Sequence, residues 1–145
     1  MLSMEQFKEF LRAHNLKATA QRLAVHEAMV ELGHASADMV SDYIAARGHT
    51  RVTAASVYNI LSQFALQGVY KHRLSAGGKM FFDVNPEPHI HLYDLRNGEF
   101  RDIEDEEILD TVQQHFKRRR FRGYKVDDID IQLICHPTRK TNKTI

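Results

Sequence analysis

The chain has 145 residues, of which 43% are hydrophobic and only three are prolines, so we expect one ordinary folded domain or two small ones rather than a disordered chain. Twenty lysines and arginines against nineteen aspartates and glutamates leave the charge nearly balanced, so net charge does not mark a nucleic-acid-binding protein. The single cysteine excludes an internal disulfide and a thiolate cage, and any metal must be bound mainly by histidine and carboxylate. Apolar runs fall far short of the ~20 residues of a bilayer span and the start lacks a signal-peptide pattern, so we expect a cytoplasmic protein without a membrane partner.

Four helices are predicted before residue 70 from the spacing of apolar side chains. They cover residues 4–13, 20–32, 37–48 and 54–68. Ser36 and Thr53 are suitable N-caps for the third and fourth helices, and Gly48 is placed to end the third. In the fourth helix an apolar stripe at Val57, Ile60, Leu61 and Phe64 leaves polar residues, among them Ser56, Tyr58 and Asn59, mostly outside it.

A β-hairpin is predicted next, because "VYKHRLSAGGKMFFDV" (residues 69–84) holds two strand-like runs around a glycine pair. Helices followed by a hairpin favour a winged helix-turn-helix, in which one helix enters the DNA major groove and the wing lies along the backbone. Tyr58 and Asn59 can then contact base edges, while the basic residues Lys17, Arg22, Lys71 and Arg73 can neutralise phosphates. The alternative is that residues 54–68 form a plain amphipathic core helix.

A domain boundary is predicted at "NPEP", because two prolines within three residues interrupt regular structure. The remainder predicts a strand at 89–95, an Asn97-Gly98 turn, a strand at 99–103, a helix from 105 to about 120 and a strand at 124–135. A domain of this size rarely supplies enough core alone, so we expect it to dimerise. The sequence thus predicts an α+β protein, with a winged helix-turn-helix domain at 1–85 and a small α/β dimerisation domain at 86–145.

His89 and His91 are candidate metal ligands, because residues two apart on a strand project from one face. The H-x-H pattern alone is weak, and surface or hydrogen-bonded histidines are the more common outcome. Asp83 before it and Asp102 on the partner strand strengthen the prediction, since a mixed histidine and carboxylate set suits Zn(II), Mn(II) or Fe(II). His34, between the second and third helices, taken alone is more typical of a surface loop.

Catalysis has little support in the sequence. There is no glycine-rich phosphate loop, no serine nucleophile elbow and no thiolate pair, so we expect that the protein is not an enzyme. If the protein were an enzyme, the alternative would be a mononuclear metalloenzyme that uses the same histidines and aspartates. A third alternative is a permanently active DNA-binding module with a vestigial metal site.

The chain resembles the ferric uptake regulator family. The resemblance covers about residues 8–135 and is carried by "HNLKATAQR" (14–22), "HASADMV" (34–40), "VTAASVYNILSQFALQGV" (52–69) and "GGKMFFDVNPEPHIHLYDLRNGEFRDI" (77–103). It implies an N-terminal winged-helix domain, a C-terminal dimerisation domain and a regulatory metal at their junction. It also implies a homodimer that binds double-stranded operator DNA when metal is bound, usually as a repressor.

Carried over to this sequence, the family's regulatory site falls on five residues: His34, Asp83, His89, His91 and Asp102. Three histidines and two aspartates resemble the peroxide-sensing branch, PerR, in which ferrous iron lets hydrogen peroxide oxidise a ligand histidine, here His34 or His89. The resemblance implies one Fe(II) or Mn(II) per subunit, with Zn(II) as another occupant of purified protein. DNA contacts are assigned to Lys17, Gln21, Arg22, Ser56, Tyr58 and Asn59.

The chain departs from the family at a second metal site. Two C-x-x-C pairs that hold a structural zinc in many members read Asp94 and Asn97, then Cys135 and Thr138, so we expect no structural zinc. An additional site of some relatives also looks lost, because its positions are Pro88 and Ile90. An iron- or manganese-responsive regulator without peroxide chemistry, like Fur or the zinc-less Irr branch, is therefore the close alternative, although the Cys-Pro haem motif of Irr is missing. The sequence leaves the resident metal, the operator and the direction of regulation open.

Overall fold

The computed structural model describes residues 1–48 and 50–139, which fall into two compact units divided after Pro86. Within the described residues there are five helices and two three-stranded sheets, so the predicted α+β fold is confirmed. The predicted dimerisation domain includes residues 140–145, which lie outside the described part of the chain. None of the helices found in that part is long and apolar enough to cross a membrane.

The first unit contains four helices close to the predicted bounds: α1 (Met4–Ala13), α2 (Ala20–Leu32), α3 (Ala37–Arg47) and α4 (Ala54–Leu66). Each begins where a serine or threonine side chain accepts a hydrogen bond from a backbone N–H of the first turn, namely at Ser3, Thr19, Ser36 and Thr53. Such caps satisfy donors that the helix itself leaves unpaired, which is why the starts were readable from the sequence.

A three-stranded antiparallel sheet completes this unit. Its strands are β1 (His34–Ala35), β2 (Lys71–Leu74) and β3 (Met80–Asp83), in the order β1-β3-β2. The hairpin of β2 and β3 was predicted, but β1 was not, because two residues between helices carry no strand pattern. Its pairing places His34 directly opposite Asp83.

The two faces of this sheet have different surroundings. Ala35 and Phe82 belong to the core formed with side chains of the helices, including Phe7, Met29, Leu61 and Phe64. Since side chains alternate along a strand and cross-strand partners share a face, His34 and Asp83 lie on the face opposite Phe82. The core thus fixes the sheet and places His34 and Asp83 on its other face, together with Phe81.

The second unit contains β4 (Ile90–Asp94), β5 (Glu99–Ile103), α5 (Glu106–Lys117) and β6 (Gln132–Cys135). The sheet order is β5-β4-β6, with β5 antiparallel and β6 parallel to the central strand. The register places His91 opposite Asp102, across a four-residue loop at 95–98 that contains the predicted Asn97-Gly98 turn. Tyr93 and Phe100 form the next cross-strand pair on the same face, and their ring centroids are 4.7 Å apart.

The predicted strand from Tyr124 to Cys135 is wrong over most of its length. Only Gln132–Cys135 is a strand, while Phe121 and Tyr124 form an isolated bridge across a tight turn. Aspartates interrupt the intervening segment: the Asp128 carboxylate accepts from the Ile129 N–H, and that of Asp130 accepts from the Gln132 side chain. Such local hydrogen bonds compete with a sheet ladder, which explains why apolar alternation alone was misleading.

Candidate metal centre and nucleic-acid interface

In the first unit, His34 and Asp83 form a buried pair of donors. His34 Nδ1 is 3.3 Å from Asp83 Oδ2, and the two side chains are only 10% and 2% exposed. The other oxygen, Asp83 Oδ1, accepts a hydrogen bond from the Asn85 N–H at 2.9 Å, which orients the carboxylate. The expectation that His34, taken alone, is a surface loop residue is therefore wrong, because strand pairing holds it beside Asp83.

In the second unit, His89, His91 and Asp102 converge. The Nε2 atoms of His89 and His91 are 2.7 Å apart. Asp102 Oδ1 lies 3.1 Å from His89 Nε2 and 3.5 Å from His91 Nε2. His91 is fully buried, whereas the Asp102 side chain is half exposed. Two ring nitrogens this close can share one hydrogen in an N–H···N bond, or both can offer a lone pair to a cation.

The spacing within each set fits metal coordination. Two donors at right angles on an ion about 2.1 Å away would be about 3.0 Å apart. The separations of 3.3 Å in the first unit and 2.7 to 3.5 Å in the second lie around that value. Each of the five residues offers one histidine nitrogen or one carboxylate oxygen, a donor chemistry that suits Fe(II), Mn(II) and Zn(II).

The tautomer of His89 also fits a ligand. Its Nδ1 lies 2.6 Å from the Glu87 carbonyl oxygen, which can only accept, so Nδ1 carries the proton. In the neutral ring Nε2, which lies beside His91 and Asp102, is then the nitrogen that can accept a hydrogen bond or bind a metal. A backbone carbonyl on the far nitrogen is a usual way to orient metal-binding imidazoles and to increase their basicity.

Lys17, Gln21 and Arg22 lie around the start of α2. They line one surface groove together with Ile60 of α4. The Arg22 guanidinium donates to the Lys17 carbonyl at 2.8 Å, and the Gln21 amide donates to the Arg51 carbonyl at 3.3 Å. The structure therefore brings these three predicted DNA-binding residues together and gives two of them fixed orientations.

Ser56, Tyr58 and Asn59 lie on the outer side of α4, as its apolar stripe predicted. Tyr58 is 46% exposed, and its ring meets the edge of Phe82 at a centroid distance of 6.0 Å. Asn59 is exposed, and the Ser56 hydroxyl accepts from the Thr53 hydroxyl at 3.0 Å. A helix anchored by Val57, Leu61 and Phe64 thus presents a tyrosine and an asparagine to solvent.

The structure changes which arginines are available to contact DNA: it excludes Arg73 and adds Arg51. Arg73 cannot neutralise a DNA phosphate, because its side chain is only 4% exposed and pairs with Asp83. Arg51, which the sequence pattern did not mark, is exposed and lines a groove with Gln21 and Ser56. Arg51 follows a helix rather than lying in one, so periodicity gave no signal for it.

Asp94 and Asn97, where the family resemblance would place one pair of zinc-binding cysteines, make a hydrogen-bonded turn. Asp94 Oδ1 accepts from the backbone N–H groups of Arg96 and Asn97, and Oδ2 accepts from the Asn97 amide at 2.7 Å. Burial acts to raise the pKa of the Asp94 carboxyl, but these hydrogen bonds outweigh it and hold the pKa below its ordinary value. Cys135 donates to the Tyr93 carbonyl at 3.4 Å.

Comparison with known proteins identifies relatives across most of the chain. The model of the ferric uptake regulator family matches residues 13–134. The ferric uptake regulation protein of Cupriavidus metallidurans is 32% identical over 132 residues, which cover 89% of this chain and 90% of that protein.

Solved structures show the same fold. The ferric uptake regulator of Vibrio cholerae matches with a TM-score of 0.74 and 24% identity, covering 90% of this chain and 99% of its own. The peroxide stress regulator of Campylobacter jejuni matches with a TM-score of 0.64 and 24% identity, covering 91% and 96%. At this identity the likeness establishes the architecture, and the chemistry has to be argued from the residues described above.

Proposed function

The chain belongs to the ferric uptake regulator family, and from that premise we propose that it is a homodimeric, cytoplasmic repressor whose DNA binding depends on metal and is lost on exposure to hydrogen peroxide. Members of this family are metal-responsive transcription regulators and not enzymes, and the chain shares that general role. The observation that carries the finer proposal is the donor set: three imidazoles and two carboxylates without a thiolate.

We assign one ion per subunit to these five donors. His34 and Asp83 would supply one part of its coordination, and His89, His91 and Asp102 the other. As the family resemblance implies, occupancy of these donors would favour the form of the protein that binds DNA. Solved members of the family contain manganese in one case and iron in another. A nitrogen and oxygen set permits exchange of either ion, whereas cysteine ligands would favour tightly held zinc.

Peroxide sensing is assigned to the ligand histidines. Fe(II) bound by these residues would supply the redox activation of peroxide. His34 or His89 would receive the oxygen: the ring gives up two electrons as one peroxide oxygen converts its C–H into C–OH, and the other peroxide oxygen leaves as water. An oxidised imidazole is a poorer donor, so metal and then DNA would be released.

DNA binding is assigned to the exposed side of α4 and the start of α2. Tyr58 and Asn59 would contact base edges, while Lys17 and Arg22 would contact phosphates, with Gln21 and Ser56 beside them. A second metal is not expected, because the family resemblance implies that Asp94 and Asn97 replace one zinc-binding cysteine pair, and the two residues are hydrogen-bonded to each other.

Operator binding by metal-free, Mn(II) and Fe(II) protein, before and after stoichiometric peroxide, tests the proposal. The operator is first selected from random duplexes with the Mn(II) protein. We expect both metal forms to bind and only the Fe(II) form to lose DNA, with one added oxygen on the peptide containing His34 or His89. Unmodified histidines and persistent binding by the Fe(II) protein would instead indicate an iron- or manganese-responsive regulator without peroxide chemistry. Equal binding with and without metal would indicate a vestigial site.

A further inference from the structure

Arg73 is a buried cation that the function proposed above does not use. It lies on β2 with its side chain only 4% exposed, and its Nη2 is 3.4 Å from Asp83 Oδ2. In the β2–β3 register Lys71 is opposite Asp83 and Arg73 is opposite Phe81. Arg73 and Asp83 are therefore diagonal neighbours on one face of the sheet, within reach of a long side chain.

The carboxylate oxygen near Arg73 is the one that the metal would need. Asp83 Oδ2 lies 3.3 Å from His34 Nδ1 and 3.4 Å from Arg73 Nη2, while Oδ1 is engaged by the Asn85 N–H. The same oxygen thus faces a ligand histidine on one side and a permanent positive charge on the other. A guanidinium does not lose its proton in proteins, so this charge is present at every accessible pH.

We infer that Arg73 is an internal counter-cation of Asp83 that competes with the regulatory metal and keeps its affinity low enough for exchange. The inference rests on the proposed metal site and names a residue that sets its affinity. Without metal, Arg73 compensates the buried carboxylate, which would otherwise be costly to keep charged. With metal, Arg73 opposes a divalent ion at the same oxygen and withdraws electron density from the donor.

The expected change in Mn(II) affinity follows from the effect of nearby charges on the affinity of a carboxylate for cations. A cation at this distance lowers the affinity of a carboxylate for a proton by roughly ten- to thousandfold, and its effect on a divalent cation has the same sign. Replacing Arg73 by a neutral residue should therefore tighten Mn(II) binding by about tenfold or more. A purely structural Arg73 would act in the opposite direction, because a disordered site binds metal less well.

The test measures Mn(II) affinity of the full-length protein by competition with a chromophoric chelator. Arg73→Gln keeps a hydrogen-bond donor without the charge and should bind Mn(II) more tightly than the unsubstituted protein. Arg73→Lys keeps the charge and should restore the original affinity. Lys79→Gln is the matched control: it removes a positive charge from the same hairpin, but Lys79 is 63% exposed and pairs with the exposed Asp38 at 3.7 Å. It should leave the affinity unchanged.

Thermal unfolding gives a second readout and a check on folding. Metal-free Arg73→Gln should melt at a lower temperature, and saturating Mn(II) should raise its melting temperature more than it does for the unsubstituted protein. Arg73→Met serves in the same comparison if the glutamine variant does not fold. Unchanged or weaker Mn(II) binding in the neutral variants would overturn the inference.

Asp83→Asn separates the inference from the proposed function. If this variant binds Mn(II) as tightly as the unsubstituted protein, Asp83 is not a ligand, and both the ligand assignment and the role of Arg73 fail. If Asp83→Asn weakens binding but Arg73→Gln does not strengthen it, the ligand assignment stands and only the role of Arg73 fails.

Discussion

Acid should destabilise the first unit through one buried histidine, His26 of α2. Its Nδ1 is 2.7 Å from the Tyr70 hydroxyl, its Nε2 is 2.8 Å from the Leu2 carbonyl oxygen, and its ring stacks on Phe7 at 4.1 Å. The carbonyl can only accept, so Nε2–H donates to it and Nδ1 accepts from the hydroxyl. Burial lowers the pKa of His26 below its ordinary 6.5, with a smaller contribution from the N-terminal charge, although the hydrogen bond to Leu2 opposes the shift.

The sign and size of the change in stability with pH follow from proton linkage at His26. Below about pH 6.5 the unfolded chain binds a proton at this position while the folded chain does not, so stability falls as pH falls. The slope approaches about 1.4 kcal/mol per pH unit, and between about pH 7.5 and about pH 5.5 the loss reaches up to about 1.4 kcal/mol. The stabilisation that depends on neutral His26 is complete above the pKa of this group in the unfolded chain. It is lost as the pH falls toward the lower pKa of the same group in the folded chain.

The double variant His26→Leu/Tyr70→Phe isolates this contribution. Removing both polar partners together leaves neither side chain of the pair unsatisfied, but the Leu2 carbonyl loses its imidazole donor, so the variants are compared by their change in stability with pH. Between about pH 7.5 and about pH 5.5 the double variant should lose about 1 kcal/mol less stability than the unsubstituted protein. Tyr70→Phe alone keeps the imidazole and should keep the pH dependence.

The assay is urea unfolding of metal-free protein at fixed concentration, followed by far-UV circular dichroism because the chain has no tryptophan. Metal is removed since histidines of the candidate site would add their own pH dependence. The comparison between variants cancels the contributions of the other histidines. If the double variant loses as much stability on acidification as the unsubstituted protein, the buried imidazole is not the cause.

Three further outcomes are expected. Tyr58→Ala should weaken specific operator binding by roughly 1 to 3 kcal/mol, whereas Lys17→Ala should weaken binding to all sequences and reduce the salt slope; equal loss of specific and non-specific affinity in both variants would contradict these roles. Asp102→Glu should blunt the peroxide response of the Fe(II) protein and largely keep metal-dependent DNA binding, because the half-exposed Asp102 can be lengthened with little cost to folding; an unaltered oxidation rate, measured by peptide mass spectrometry, would argue against it. The homodimer should survive strong chelation, with half-sites about one helical turn, ~34 Å, apart or a multiple of it; sedimentation of a chelated monomer at micromolar concentration would contradict this.

Local chemistry made most of the fold readable from the sequence. The helices begin at side chains that cap their own first turn, and Gly48, with φ 71°, ends α3 in the left-handed conformation that glycine adopts readily. The hairpin of β4 and β5 follows from alternation around Asn97-Gly98, and its register, set by a four-residue loop at 95–98, places His91 opposite Asp102. These features depend on residues a few positions apart, so a single sequence contains the necessary information.

The candidate metal centre was only partly accessible in this way. His89, His91 and Asp102 lie within one hairpin, so period-two spacing sufficed to group them. His34 required a two-residue strand that exists only because it pairs with β3, nearly fifty residues later in the chain. Its place among the candidate ligands came from family resemblance, and that assignment stays a prediction.

Tertiary structure alone decided which charges are available. Arg73 and Arg51 are equally basic in the sequence, yet one is buried against Asp83 and the other is exposed beside Gln21. His26 has no ligand spacing and no motif, but packing against Phe7 and Tyr70 determines its protonation. Burial and cross-strand pairing depend on which distant segments meet, and the free energy of an ionisable group changes most on transfer out of water.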